Sequence, residues 1–170
     1  GEDRRLPWEE VQDIHLDHEN PWFKRYIEFI QTLVKRAGGR FPVSHGTLDG
    51  PSDMAAGLRG HDRFIFDLID EPERATRLLR QGADLFREIT EEVWKHIPLS
   101  CGGYYDAQYQ LGAPGPIARL QEDATGIYSP ELYRQFLQPI DRELAGHFAS
   151  SLMHLHSTSM FILDAFLEVE

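Results

Sequence analysis

Short apolar runs alternate with longer stretches of helical periodicity along this chain, and that alternation constrains the fold more than any other feature. Helical segments placed between strands argue for an α/β chain with a parallel sheet and helical crossovers. The clearest helix spans about Pro21 to Ala37. Asn20 caps it, Pro21 suits its first turn, Phe23, Ile27, Ile30 and Val34 recur at helical spacing, and Gly38-Gly39 stops it. A strand is expected over Phe41–His45, followed by a turn-rich loop over Gly46–Ser52. Two helices follow, one near Asp62–Ile69 and one from about Pro72 to Ile97. Asp70 is placed to cap the second, with Glu73 three residues on. Leu78, Leu79, Phe86, Ile89 and Val93 form its stripe, and Pro98 ends it. Leu99–Gly115 reads as a short strand and a long loop, which is uncommon inside a domain unless it has a job. Ile117–Gln121 is a further strand. Ser129-Pro130-Glu131 opens a helix carrying Leu132, Phe136, Ile140 and Leu144, which Pro139 should kink or restart. Ser151–His156 is the last strand and Met160–Leu167 the last helix. No linker divides the chain, so residues 1–170 read as a single domain.

Ligands in parallel α/β folds bind where strands give way to the loops after them. Three such junctions are unusually polar: His45-Gly46-Thr47-Leu48-Asp49, Gln121-Glu122-Asp123 and His154-Leu155-His156-Ser157-Thr158. His154 and His156 stand at i and i+2, so on a strand they face one side. Two imidazoles so placed can ligate one transition metal, with a third ligand from another strand, or can simply hydrogen-bond backbone and substrate. Glu122 and Asp123 are adjacent and face opposite ways on a strand. Asp123 is assigned to the site, and Glu122 to a helix or loop contact, with a solvated carboxylate as the plain alternative. His45 and Asp49 flank Gly46 and Gly50, either as a ligand-contacting loop or as a tight turn whose glycines supply positive φ. Tyr104, Tyr105, Gln108 and Tyr109 line a pocket or cover a satellite core. Arg119, beside Leu120, reads as outward-facing. The lone Cys101 reads as structural.

Charge and composition exclude several partners. The chain has 17 Lys+Arg against 28 Asp+Glu, a net −11, which opposes a nucleic-acid binder and an anionic membrane surface. The apolar stretches fall short of the roughly 20 residues that span a bilayer. One cysteine and no secretory pattern are expected of a cytoplasmic protein. GxGxxG, GxxxxGK[ST] and GxSxG patterns are absent.

Four stretches together resemble the uroporphyrinogen decarboxylase superfamily, which includes the decarboxylase and the corrinoid-related methyltransferases. Gly50-Pro51 followed by Ala55, Leu58 and Gly60 looks like the family's glycine-proline loop and helix. Phe64–Pro72 resembles its helix ending in a D-x-P turn, and Gln121–Pro139 its acidic pair, S-P and aromatic-rich helix. His154–Ser157 falls where the methyltransferase branch has a metal-binding H-x-C-G. The match runs in order over most of Arg40 to Glu170.

The resemblance implies a (β/α)8 barrel of TIM type with its site at the C-terminal strand ends, present here as the central portion of an incomplete barrel. It also implies zinc as cofactor and a corrinoid protein as partner for the methyltransferase branch. Two features depart from the family. The tyrosine expected of the decarboxylase falls near Ala56, and His156 stands where the methyltransferases have their first zinc-binding cysteine, the second lying beyond Glu170. The expected function is therefore an enzyme of the methyltransferase-like branch, with His154 and His156 holding a metal or substrate. Asp123 orients it or acts as general base, Glu122 stands in reserve, and His45, Asp49, Gln121 and Tyr105 contact a small-molecule substrate. The alternatives are a cofactor-free decarboxylase of a porphyrinogen or other polycarboxylate, or a non-catalytic truncated barrel used as a binding module. A half barrel would expose two unpaired parallel edges and would have to form a homodimer or aggregate.

Overall fold

The computed structural model describes residues 5–169. Helix α1 (Pro21–Ala37) begins where expected: the Asn20 side chain accepts from the Trp22 amide at 2.9 Å, and Gly38 ends it in the left-handed conformation at φ 56°. Helices α2 (Pro51–Arg59), α3 (His61–Asp70) and α4 (Pro72–Lys95) follow. The Asp70 cap is not formed. Asp70 is the last residue of α3, and Glu71 takes the position before α4 without a side-chain cap.

Strands β1 (Tyr104–Asp106) and β2 (Leu111–Ala113) make an antiparallel hairpin where a short strand and long loop were expected. Strand β3 (Ile117–Gln121) pairs in parallel with β4 (Ser150–His154), setting Arg119 opposite Leu152 and Gln121 opposite His154. A helical connection joins them, as parallel strands require. It comprises α5 (Pro130–Leu132), a π-helical turn at Tyr133–Leu137 and α6 (Gln138–His147). Ser129 caps it through the Leu132 amide. The π turn abuts Pro139, whose missing N–H cannot continue the α-helical ladder.

Three expectations are corrected. Phe41–His45 is not a strand. It pairs with no strand among the described residues; just after it the Gly46 amide donates to the Tyr26 hydroxyl at 2.7 Å, and Nδ1 of His45 bonds the Gly46 carbonyl at 2.6 Å. The last strand ends at His154, so His156 lies beyond it. The last helix is split into 3-10 turns at Ser157–Ile162 and a short α7 (Leu163–Leu167). Two two-stranded sheets are formed, and no closed barrel is present among the described residues. No helix among them is long and apolar enough to cross a membrane.

Both faces of β3 are covered, as in a parallel sheet. Ala118 and Leu120 join Phe64, Leu79, Phe86, Leu137, Ile140 and Phe166 in the larger core, under the helices. Ile117 joins Ile30, Val93 and Trp94 in a second core on the other side. The indole of Trp94 donates to the Ile117 carbonyl at 3.0 Å and so ties α4 to the strand.

Gly50 follows the same logic of close approach. Its φ is −76°, so positive φ is not why glycine stands there. A Cβ at this position would lie 1.9 Å from the Gln121 carbonyl oxygen and 2.4 Å from Oε1 of Glu122. The start of α2 therefore presses directly on the C-terminal end of β3.

Candidate metal centre

The ends of β3 and β4 deliver the polar residues to one place. Gln121 and His154 are register partners, so both side chains leave the sheet on the same face. Glu122 and Asp123 then diverge. Glu122 is buried and its Oε2 accepts from the Ser52 amide at 2.9 Å, under α2. Asp123 opens a 3-10 turn (Asp123–Ile127) and faces the histidines.

Oδ1 of Asp123 lies 3.2 Å from Nε2 of His156 and 3.9 Å from Nε2 of His154. The two imidazoles meet edge to face with centroids 4.6 Å apart. Asp123, His154 and His156 each offer a ligand atom, and all three atoms fall within 4.8 Å of one another, a spacing that one metal ion can bridge. His154 is mostly covered and His156 about half exposed, so the group faces solvent on one side.

Neighbouring residues fix this arrangement. Nε2 of Gln121 donates to Oδ2 of Asp123 at 2.8 Å. Asp53, in the first turn of α2, accepts from the Asp123 amide at 3.1 Å and the Ala124 amide at 2.7 Å. Burial raises the Asp53 carboxyl above its usual range, and the nearby charges of Asp123 and Asp49 push the same way, opposed by the two amides. Sequence reasoning passed over Asp53; a carboxylate two residues after Pro51, at a helix start, was the available signal.

The remaining candidates are dispersed. His45 is buried edge-on against Trp94, centroids 5.3 Å apart, and makes no bond to the triad. Burial is the main reason its pKa is lowered, so the ring is neutral near pH 7. Asp49 is exposed. Tyr105 is half-buried on β1, and its ring covers Gly112. Cys101 is exposed in a turn at φ 49° and does not pack in the core.

Arg119 points inward, contrary to expectation. Its side chain is 4% exposed and 3.5 Å from Asp106. Nη1 donates to Oε1 of Gln108 at 2.5 Å and Nη2 to the Thr47 hydroxyl. It shares its strand face with Gln121, which places a paired cation beneath the histidine cluster.

No protein-family model matches the sequence, and none of the curated proteins matches it. Among solved structures, the chain is similar to a methyltransferase from Methanosarcina mazei, with a TM-score of 0.66 at 16% sequence identity. The similarity covers 85% of this chain, which spans 38% of the length of that protein. At that identity the likeness is one of fold: most of the chain is arranged as in part of that protein.

Proposed function

We propose that the protein is a methyltransferase-like enzyme, that the chain contributes part of a (β/α)8 barrel, and that Asp123, His154 and His156 hold a zinc ion. The observation that carries this reading is the convergence of the three ligand atoms at the C-terminal ends of two adjacent parallel strands. Two imidazoles and one carboxylate suit zinc in a site that keeps a position open. The nearby carboxylates of Asp53 and Asp49 add negative potential favourable to a cation. Zinc bound there supplies a Lewis acid that holds a coordinating thiol as its thiolate.

The chain's own residues have distinct tasks in this reading. His154 and His156 present lone pairs, and Asp123 brings the ligand set's negative charge. Gln121 and Asp53 hold Asp123 from two directions. The decarboxylase reading has less support. Arg119, the natural partner for a substrate carboxylate, is buried and already engaged by Asp106, Gln108 and Thr47.

The test is demethylation of methylcobalamin with 2-mercaptoethanol as acceptor. The thiolate sulfur forms a bond to the methyl carbon, and the cobalt–carbon bond breaks with its electron pair left on cobalt as cob(I)alamin. The expected result is a rate that depends on added zinc and falls by more than about 100-fold in His156→Ala. A rate equal to that of buffer with zinc alone would remove the methyltransferase assignment.

A further inference from the structure

The β1–β2 hairpin reaches the histidine cluster through one side chain. The Tyr109 hydroxyl bonds Nδ1 of His154, and the two rings lie 6.0 Å apart between centroids. Tyr109 is set in place by its own hairpin. Its amide donates to Oδ1 of Asp106 at 2.9 Å, which closes the turn, and the other Asp106 oxygen faces Arg119.

The orientation of the Gln108 amide follows from the arginine. A guanidinium only donates, so the Gln108 oxygen must face Arg119 and the Gln108 amide nitrogen must face away from it. That nitrogen lies 3.4 Å from the Tyr109 hydroxyl and donates to it. The phenolic oxygen keeps a second lone pair as well as its own O–H; ligation of a metal through Nε2 requires the proton on Nδ1, and the hydroxyl then accepts from it. A proton on Nδ1 leaves the lone pair on Nε2, the nitrogen that faces Asp123.

We infer that Tyr109 is a positioning residue for the metal centre, holding His154 in the Nδ1–H tautomer and aiming Nε2 at the ion, with Gln108, itself oriented by Arg119, bonded to its hydroxyl. The inference rests on the zinc reading above. Its physical basis is general: a ligating histidine needs a partner on its other ring nitrogen to fix tautomer and orientation. What is specific to this chain is that the partner comes from the hairpin and not from the strands that carry the ligands.

Tyr109→Phe removes only the hydroxyl from a partly exposed ring, so the fold should be kept. Zinc affinity is measured by competition with a chromophoric chelator on the purified protein, for wild type, Tyr109→Phe and His156→Ala. Tyr109→Phe is expected to bind zinc about 10- to 100-fold more weakly, the range for loss of such a partner, with the melting temperature of the metal-free protein unchanged. Ring nitrogen NMR of metal-free wild type should show His154 protonated on Nδ1, and the variant should lose that preference. The visible bands of the cobalt-substituted protein should also shift. Zinc binding within twofold of wild type, or a wild-type His154 protonated on Nε2, would overturn the inference while leaving the zinc site standing. Wild type that binds no zinc would instead overturn the site itself, and the role of Tyr109 with it.

Discussion

Gly50→Ala is expected to lower stability by about 3 kcal/mol or more, at the upper end for insertion of one carbon into a packed site. The obstacle is backbone: the new Cβ would fall 1.9 Å from the Gln121 carbonyl oxygen, and the nearest side-chain atom is Oε1 of Glu122, a buried carboxyl whose other oxygen is bonded to the Ser52 amide. Neither can swing aside as a flexible surface chain would. Relief requires α2 to move away from the end of β3. For a protein of this size the loss corresponds to a fall of roughly 6–12 °C in melting temperature. The same shift displaces Asp53, whose carboxylate holds the Asp123 and Ala124 amides, so zinc affinity should fall with stability. Thermal unfolding followed by circular dichroism, with zinc titration at low temperature, separates the two effects. A melting temperature within about 2 °C of wild type would show that this contact does not constrain the site.

The second large effect concerns pH. Glu122 and Asp141 are both buried, and each has one carboxyl oxygen without a hydrogen-bond partner, Oε1 and Oδ1 respectively. They lie close enough for the charge of Asp141 to act on Glu122. Their other oxygens are held by the Ser52 amide and by the Tyr133 hydroxyl at 2.7 Å. Two buried carboxylates cannot both be charged cheaply, so the pair retains a proton. Burial is the main cause that pushes both groups upward, reinforced at Glu122 by the charge of Asp141.

The sign follows from linkage. In the unfolded chain these acids release their protons near their ordinary values of about 4.3 and 3.9. Above that range the folded protein holds a proton that the unfolded chain has lost. Stability therefore falls as pH rises, until the folded pair also ionises. His45 acts oppositely: its lowered value makes stability fall as pH drops below about 6.5. The clean readout is thus a difference between proteins. Glu122→Gln keeps an oxygen for the Ser52 amide and offers Asp141 a permanent N–H in place of the shared proton. The variant is expected to be more stable than wild type near pH 8 by about 2–4 kcal/mol, with the advantage shrinking toward pH 5. Denaturant unfolding of the metal-free proteins across that range measures it. An advantage that did not depend on pH would mean that no proton is shared.

What the sequence reveals here divides along a physical line. Helix ends are local chemistry: the Asn20 cap, Gly38 and the Ser129 cap are each decided within a few residues, and all are found. The β3 strand is local too, but Glu122 and Asp123 diverge beyond its end, where the chain enters a 3-10 turn, and not by strand alternation. Long-range contacts were not legible. Whether Phe41–His45 is a strand depends on a strand to pair with, and it pairs with none among the described residues; the chain is instead held just after it, where the Gly46 amide bonds Tyr26. The inward turn of Arg119 depends on Asp106, Gln108 and Thr47, which come from the hairpin and a distant loop. Asp53 and Tyr109 reach the histidine cluster from other elements, so the helix start that marks Asp53 and the loop that carries Tyr109 do not by themselves tie either residue to the histidines. His154 and His156 come together for a different reason than strand alternation. Only His154 lies on β4, and the chain turns back after it.

The most direct test is the metal content of the purified protein, measured by elemental analysis beside a His156→Ala control. The account predicts about one zinc per chain in the wild type and its loss in the variant, since three protein ligands are the usual minimum for an open site. Zinc absent from wild type after incubation with the ion, or retained equally by the variant, would contradict the central claim.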